Sequence, residues 1–222
     1  MTITIYGLPF STYTCTVMMT CIEKGAEFAL DAGDISSIKQ LKKSPHIDRH
    51  PFGKMPAIED GTHVLYETSA ICRYIDEKFD GPSLFPSTNS LDGTYQRAQV
   101  EQWISAASAY FDNCIIRQFV LQYVFPRGED KEPDRAVIDK TIPIIRRNLE
   151  ILNIQYGTRD TLVGDSITLA DLFFAPILHY LSITGEGQEL MRHAPNVQRG
   201  LDVMKERQSF KQAFPSASDT ET

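Results

Sequence analysis

The period of the apolar pattern changes near residue 85, and no other feature limits the architecture of this chain as strongly. Before that point short strand-like and longer helix-like segments alternate; after it the strand signals vanish. Residues 2–6 are short and β-branched and run into Gly7 and Pro9, which predicts a strand ending in a loop. Over 12–24 the many β-branched residues argue against a helix. Val17, Met18, Cys21 and Ile22 nevertheless fall at helical spacing, with Gly25 as a stop. Residues 26–30 alternate like a second strand, and 35–43 look helical up to Ser44-Pro45. The pieces 56–59 and 63–66 flank Asp60-Gly61, a hairpin signal. A helix over 67–79 follows, with Ala70, Ile71, Tyr74, Ile75 and Phe79 on one face.

The order is therefore β-α-β-α-β-β-α. Its β-α-β part needs a crossover between parallel strands, and the Asp-Gly turn adds an antiparallel pair. That is a small α/β sheet of the thioredoxin type, covering residues 1–80. Residues 81–92 read as a Gly-, Pro- and Ser-rich linker. Residues 93–222 read as all-helical, with helices at 93–124, 131–156, 168–184 and 196–207, a polar break at 126–133 and a disordered tail over 216–222.

Composition narrows the function. The net charge of -7 disfavours the phosphate contacts of nucleic-acid binding, and no basic run offsets it. No apolar stretch reaches the roughly 18 residues of a membrane span, and the first ten residues lack the charged and apolar regions of a signal peptide. The four cysteines, Cys15, Cys21, Cys72 and Cys114, show no CxxC pairing; free buried thiols in a reducing cytosol are the simplest reading. Neither a nucleic-acid nor a membrane partner is expected.

Four motifs stand in register across this plan. STYTCTV at 11–17 resembles the entry to the first helix of phi-type glutathione transferases. HPFGKMPA at 50–57 is similar to their N-P-F-G-x-V-P-A segment, and YETSAICRYI at 66–75 to F-E-S-R-A-I-x-x-Y-I. TLAD at 168–171 matches the S/T-x-A-D start of a core helix. The chain thus resembles the soluble glutathione transferases, and its departures from the phi pattern suggest the fungal enzymes near the yeast nitrogen-regulation prion protein.

The resemblance implies a homodimeric enzyme. It would add the glutathione thiolate to hydrophobic electrophiles and reduce organic hydroperoxides as a side activity. Glutathione would be its co-substrate, with no separate cofactor or metal. Ser11 would hold the sulfur, aided by Thr12 and the helix dipole. Its bland reading is a helix N-cap, and Tyr6 and Tyr13 compete with it, Tyr6 reading more as core. Met55-Pro56 would be a cis peptide whose Met55 backbone pairs with the cysteinyl part of glutathione. Glu67 would face the γ-glutamyl ammonium and Thr68 its carboxylate, while Ser69 replaces an arginine usual in the family. Lys42 and Lys54, with Lys43 and Gln40 as neighbours, would serve the carboxylates; Leu41 replaces a family histidine. Phe10, Tyr13, Phe111, Ile115 and Phe119 would line an electrophile pocket, Phe111, Ile115 and Phe119 sharing a helix face that could equally be core. Cys15 reads as a buried thiol, with a Cys15-centred oxidoreductase as one rival function and a glutathione-dependent carrier of flat hydrophobic molecules as another. Thr168-x-x-Asp171 reads as a capping box of structural value.

Overall fold

The structure, a computed structural model, describes residues 2–33, 35, 39–126 and 128–215. Parts of the predicted 35–43 helix, Arg127 in the predicted break and the predicted tail at 216–222 lie outside them. The chain divides into two compact units. One runs from Met1 to Leu84 and includes the segment from Lys205 on; the other is Phe85–Met204.

The first unit is built on a four-stranded sheet of order β2-β1-β3-β4. In β1 (Ile3–Tyr6) Ile3 and Ile5 are fully buried while Thr4 and Tyr6 are half-buried, the two-residue period of a strand with one covered face. Strand β2 (Phe28–Asp31) pairs parallel to β1, from Ile3↔Phe28 to Tyr6↔Asp31. Helix α1 (Thr12–Glu23) is the crossover that such a pair demands. Threonine hydroxyls explain how a β-branched segment makes this buried helix. Thr16 donates to the Thr12 carbonyl at 3.2 Å and Thr20 to the Thr16 carbonyl at 2.8 Å, so neither enters the core unsatisfied.

A 3₁₀ turn (Gln40–Lys42) and the short helix α2 (His46–Arg49) follow. Among the described residues of the predicted helix over 35–43, only the 3₁₀ turn at Gln40–Lys42 is helical, and α2 lies beyond Ser44-Pro45. Helical signal there is weak, and His50, with extended backbone, closes α2. Strands β3 (Ala57–Asp60) and β4 (His63–Tyr66) form the expected hairpin, with Asp60 opposite His63. Its two loop residues are Gly61, at φ +63°, and Thr62, so Asp60 closes the ladder rather than opening the turn. Helix α3 (Thr68–Lys78) packs against α1. The buried Lys24 ammonium lies 3.1 Å from Asp76 and also donates to the carbonyls of Gly81, at 2.7 Å, and Pro82.

The second unit contains helices and connections. Helix α4 (Leu91–Ala106), capped by Ser90 accepting from the Gly93 N–H, winds into a π-helix over Ala107–Val120 and ends in α5 (Leu121–Val124). The predicted helix over 93–124 is thus one rod, but its second half has a wider i→i+5 winding that an apolar period of 3.6 does not announce. After a 3₁₀ turn (Glu129–Lys131) come α6 (Arg135–Tyr156), α7 (Leu169–Ser182), α8 (Gly185–Arg192) and α9 (Pro195–Glu206). Helix α7 is buried almost all round, as expected for the central helix of a bundle.

Three short helices were not foreseen: α2, α8, and α10 (Gln208–Ala213), which packs on α1 in the first unit. Arg207 donates to both carboxylate oxygens of Glu23, with Nε at 2.7 Å from Oε1, and Ser209 donates to the same carboxylate. The clasp draws the segment from Lys205 on out of the predicted 93–222 domain and into the sheet-bearing unit.

Candidate functional site

The strand register gathers most of the predicted site. Tyr6, Ala57 and Tyr66 lie in one row across β1, β3 and β4, and neighbouring strands are about 4.8 Å apart. The loop leaving β1, the segment entering β3 and the start of α3 therefore emerge from the same end of the sheet. Those three pieces carry Ser11 and Thr12, Lys54 to Pro56, and Glu67 and Thr68.

Two glycines hold the surrounding loops close. A Cβ on Gly7 would stand 2.3 Å from the Thr14 hydroxyl, so the loop can lie on the first turn of α1 only without a side chain there. At Gly53, φ is +58°, and a Cβ would meet the Leu41 carbonyl at 3.0 Å and Lys42 Cγ at 3.1 Å. The stem of Lys42 thus lies against the residue preceding Lys54. Both lysines are exposed.

Ser11 occupies the N-cap position of α1, with extended backbone (φ -76°, ψ 126°). Its side chain makes no capping hydrogen bond and is half-buried, and no acidic residue occupies the first turn. The hydroxyl is not committed to the helix it precedes. Thr12 is buried. Cys15 is fully buried and its thiol donates to the Pro9 carbonyl at 3.1 Å. A Cys15-centred oxidoreductase needs an accessible sulfur, and burial removes it. Cys21, Cys72 and Cys114 are free and buried as well, and burial pushes the Cys21 thiol well above its ordinary value and the Cys72 thiol up to about 12.

Tyr6 is half-buried rather than core, and its hydroxyl donates to Glu59 Oε2 at 2.7 Å. Arg49 donates to the other Glu59 oxygen at 2.7 Å and lies 3.8 Å over the Tyr6 ring. Burial and the Glu59 bond both raise the Tyr6 phenol above its ordinary value, which leaves it a poor partner for a thiolate. A cavity of about 70 Å³ adjoins this network, lined by Tyr6, Asp31, Ile35, His46 and Arg49 among others. None of the predicted glutathione residues lines it.

The Met55–Pro56 peptide is cis, and so is Ser44–Pro45. Met55 lies just beyond the ladder, whose first β3 pair is at Ala57. Glu67 has φ 69° and ψ 114°, an unusual conformation for a residue with a Cβ and one that costs about 1–3 kcal/mol. Its side chain is exposed and does not cap α3, Thr68 is buried, and Ser69 is exposed.

Sequence reasoning missed His50, which belongs to the HPFG motif but was not singled out. Its ring is buried 5.0 Å from Tyr66 and 6.3 Å from Phe52, and its Nδ1 has no partner. A histidine in place of the motif's asparagine was the available signal.

The expected electrophile residues separate into two groups. Phe10 is 60% exposed and Tyr13 is half-buried. Phe111, Ile115 and Phe119 are buried in the π-helical stretch, and Phe111 meets Phe174 of α7 edge-on at 4.8 Å. A shared apolar face at helical spacing is also what a core stripe requires, and packing claims all three. Tyr110, one position away, is 66% exposed.

Residues 1–77 match the glutathione S-transferase N-terminal domain and residues 111–207 the glutathione S-transferase C-terminal domain. The chain belongs to the glutathione S-transferase family. It is 30% identical over 220 residues to glutathione S-transferase F11 of Arabidopsis thaliana, covering 98% of this chain and all of that one. With glutathione S-transferase F12 of the same plant it shares 29% over 212 residues, 95% of this chain and 96% of that protein. Among solved structures, poplar glutathione transferase F1 superposes with a TM-score of 0.83 at 30% identity over 96% of both chains. Glutathione transferase F7 of Populus trichocarpa gives 0.83 at 28% identity, over 95% of this chain and 97% of that one. The likeness is to transferases carrying the plant F designation.

Proposed function

We propose that this protein conjugates the glutathione thiolate to hydrophobic electrophiles and that Ser11 stabilises the thiolate. The carrying observation is the uncommitted Ser11 hydroxyl at the N-terminus of α1, brought by the strand register to the same end of the sheet as Met55 and Glu67. A thiol of pKa about 8.5 is a few per cent ionised at neutral pH, and lowering it by about two units requires roughly 2.7 kcal/mol of preference for the anion. A charge-assisted hydrogen bond supplies about 1.5–3 kcal/mol, and the helix dipole adds to it. No separate base is needed.

Glutathione then lies along this end of the sheet. Its cysteinyl backbone meets Met55, its γ-glutamyl ammonium faces Glu67 and its carboxylates take Thr68, Lys42 and Lys54. Phe10 and Tyr13 contribute to the electrophile site. Reduction of organic hydroperoxides is a side activity of the same thiolate, and carriage of flat hydrophobic molecules with weak catalysis is the rival reading. Kinship with the fungal transferases rests on the departures at Leu41 and Ser69. Homodimerisation, with the first unit of one protomer against the helices of the other, is supported by exposed Phe52, 67% open to solvent and 6.1 Å from Tyr66. The reading places the enzyme in the cytosol, in keeping with four free cysteines.

The test is conjugation of a chloronitrobenzene by wild type and Ser11→Ala. The variant is expected to bind glutathione while losing most of its turnover and the low thiol pKa of the complex, followed as thiolate absorbance against pH. Unaltered turnover and thiol pKa would sink the assignment of Ser11.

A further inference from the structure

His50 closes α2 and opens the loop that carries Lys54 and Met55. Its side chain is 3% exposed, and buried Nδ1 has no hydrogen-bond partner beyond the residue's own backbone. Buried polar atoms are rarely left so, because the lost hydration is not repaid. The ring is held in place on several sides: Tyr66 at 5.0 Å, Phe52 at 6.3 Å and His46 stacked at 6.5 Å. Tyr66 is the last residue of β4 and directly precedes Glu67, whose backbone has φ 69°. The charged and titratable groups facing His50 are Glu67, His46 and Lys54, with the Tyr66 ring against it. Burial, the largest influence, holds the imidazole below the ordinary histidine range; Glu67 opposes that, while His46 and Lys54 reinforce it. At neutral pH His50 is therefore uncharged.

We propose that His50 is a positioning residue for the amino end of glutathione: packed against Tyr66 beside Glu67 with its Nδ1 unpartnered, it decides whether the Glu67 carboxylate is free for the substrate ammonium. The inference rests on reading Glu67 as the γ-glutamyl clamp. A neutral ring leaves the carboxylate its full charge. A proton taken from solvent onto the imidazole creates a cation inside the fold that competes with the ammonium for that carboxylate. His50 touches no reacting atom, so its protonation weakens binding of the glutathione scaffold and leaves the chemistry at sulfur alone.

The probe is S-methylglutathione, a thioether with no titrating thiol, whose amino and carboxyl groups keep their charges between pH about 4.5 and about 7.5. Calorimetric titration should show wild-type affinity falling about tenfold as the pH is lowered from about 7.5 to about 4.5, the effect of one proton displaced by about one pH unit. His50→Gln, which keeps a polar side chain but cannot titrate, should fall about threefold or less, and His46→Gln should keep the wild-type slope. Equal slopes in wild type and His50→Gln, or a slope removed by His46→Gln instead, overturn the proposal. Glu67→Gln at neutral pH separates the two readings. Unchanged affinity there means the clamp itself is wrong; weakened affinity with equal His50 slopes means only this inference fails. Should His50→Gln not fold, imidazole NMR of the wild type decides. Saturating S-methylglutathione must lower the His50 midpoint, because coupling between proton and ligand is reciprocal; an unmoved midpoint refutes it.

Discussion

Helices α1 and α7 both begin on a hydroxyl residue, and they use it in opposite ways. At the start of α7, Thr168 and Asp171 are bound to each other: the Thr168 N–H and hydroxyl both donate to Asp171 Oδ2, at 2.8 and 2.9 Å, and the Leu162 N–H donates to Oδ1 at 2.7 Å. All of this is buried. At the start of α1, Ser11 stands in the same position with its side chain bonded to no helical N–H. A cap that is completed is part of the scaffold. A cap position left incomplete, at a helix end with no acid in its first turn, keeps a donor and a positive dipole end available to an anion from outside.

Substitutions can break that contrast. The largest expected effect is at Asp171. Its replacement by alanine leaves two buried N–H groups without an acceptor and should cost about 3 kcal/mol in urea denaturation, with the folded fraction still turning over. Ser11→Ala should lower kcat/KM about 30-fold, close to 2 kcal/mol, while shifting stability by less than about 0.5 kcal/mol. A stability loss of about 1 kcal/mol would mean that the hydroxyl caps α1 after all. Thr168→Ala should cost about 1 kcal/mol and leave glutathione affinity unchanged.

The other end of α1 sharpens the comparison in acid. Burial, the largest influence on Glu23, pushes its carboxyl up. The Arg207 and Ser209 hydrogen bonds, with the Arg207 charge, outweigh it and hold the group below the usual glutamate range. Stability from this clasp is therefore present above that range and lost as pH falls through it. The smallest expected signal is earlier hydrogen exchange of α10 amides in acid, absent from Glu23→Gln.

The legibility of these features follows from how local they are. Thr168-x-x-Asp171 spans four consecutive residues, so its box could be read directly. Ser11, Met55 and Glu67 are far apart in sequence but sit at motif positions whose order survives, and the strand row Tyr6–Ala57–Tyr66 then places them. His50 could not be read this way, because its missing partner depends on its burial against Tyr66 at the far end of the hairpin. The π-winding over Ala107–Val120 hid for another reason. Phe111, Ile115 and Phe119 keep a helical spacing whether they line a ligand or fill a core, and burial alone separates the two. Helices α8 and α10 are too short to show a period.

The Glu23–Arg207 clasp has a consequence for how the chain is made. The sheet-bearing unit takes its last helix from beyond residue 204, after the whole of the other unit has been synthesised. On the ribosome its α1 surface must wait, exposed, for a segment that emerges more than a hundred residues later. A fragment ending at residue 84 would carry every predicted glutathione contact and still lack the helix that covers α1.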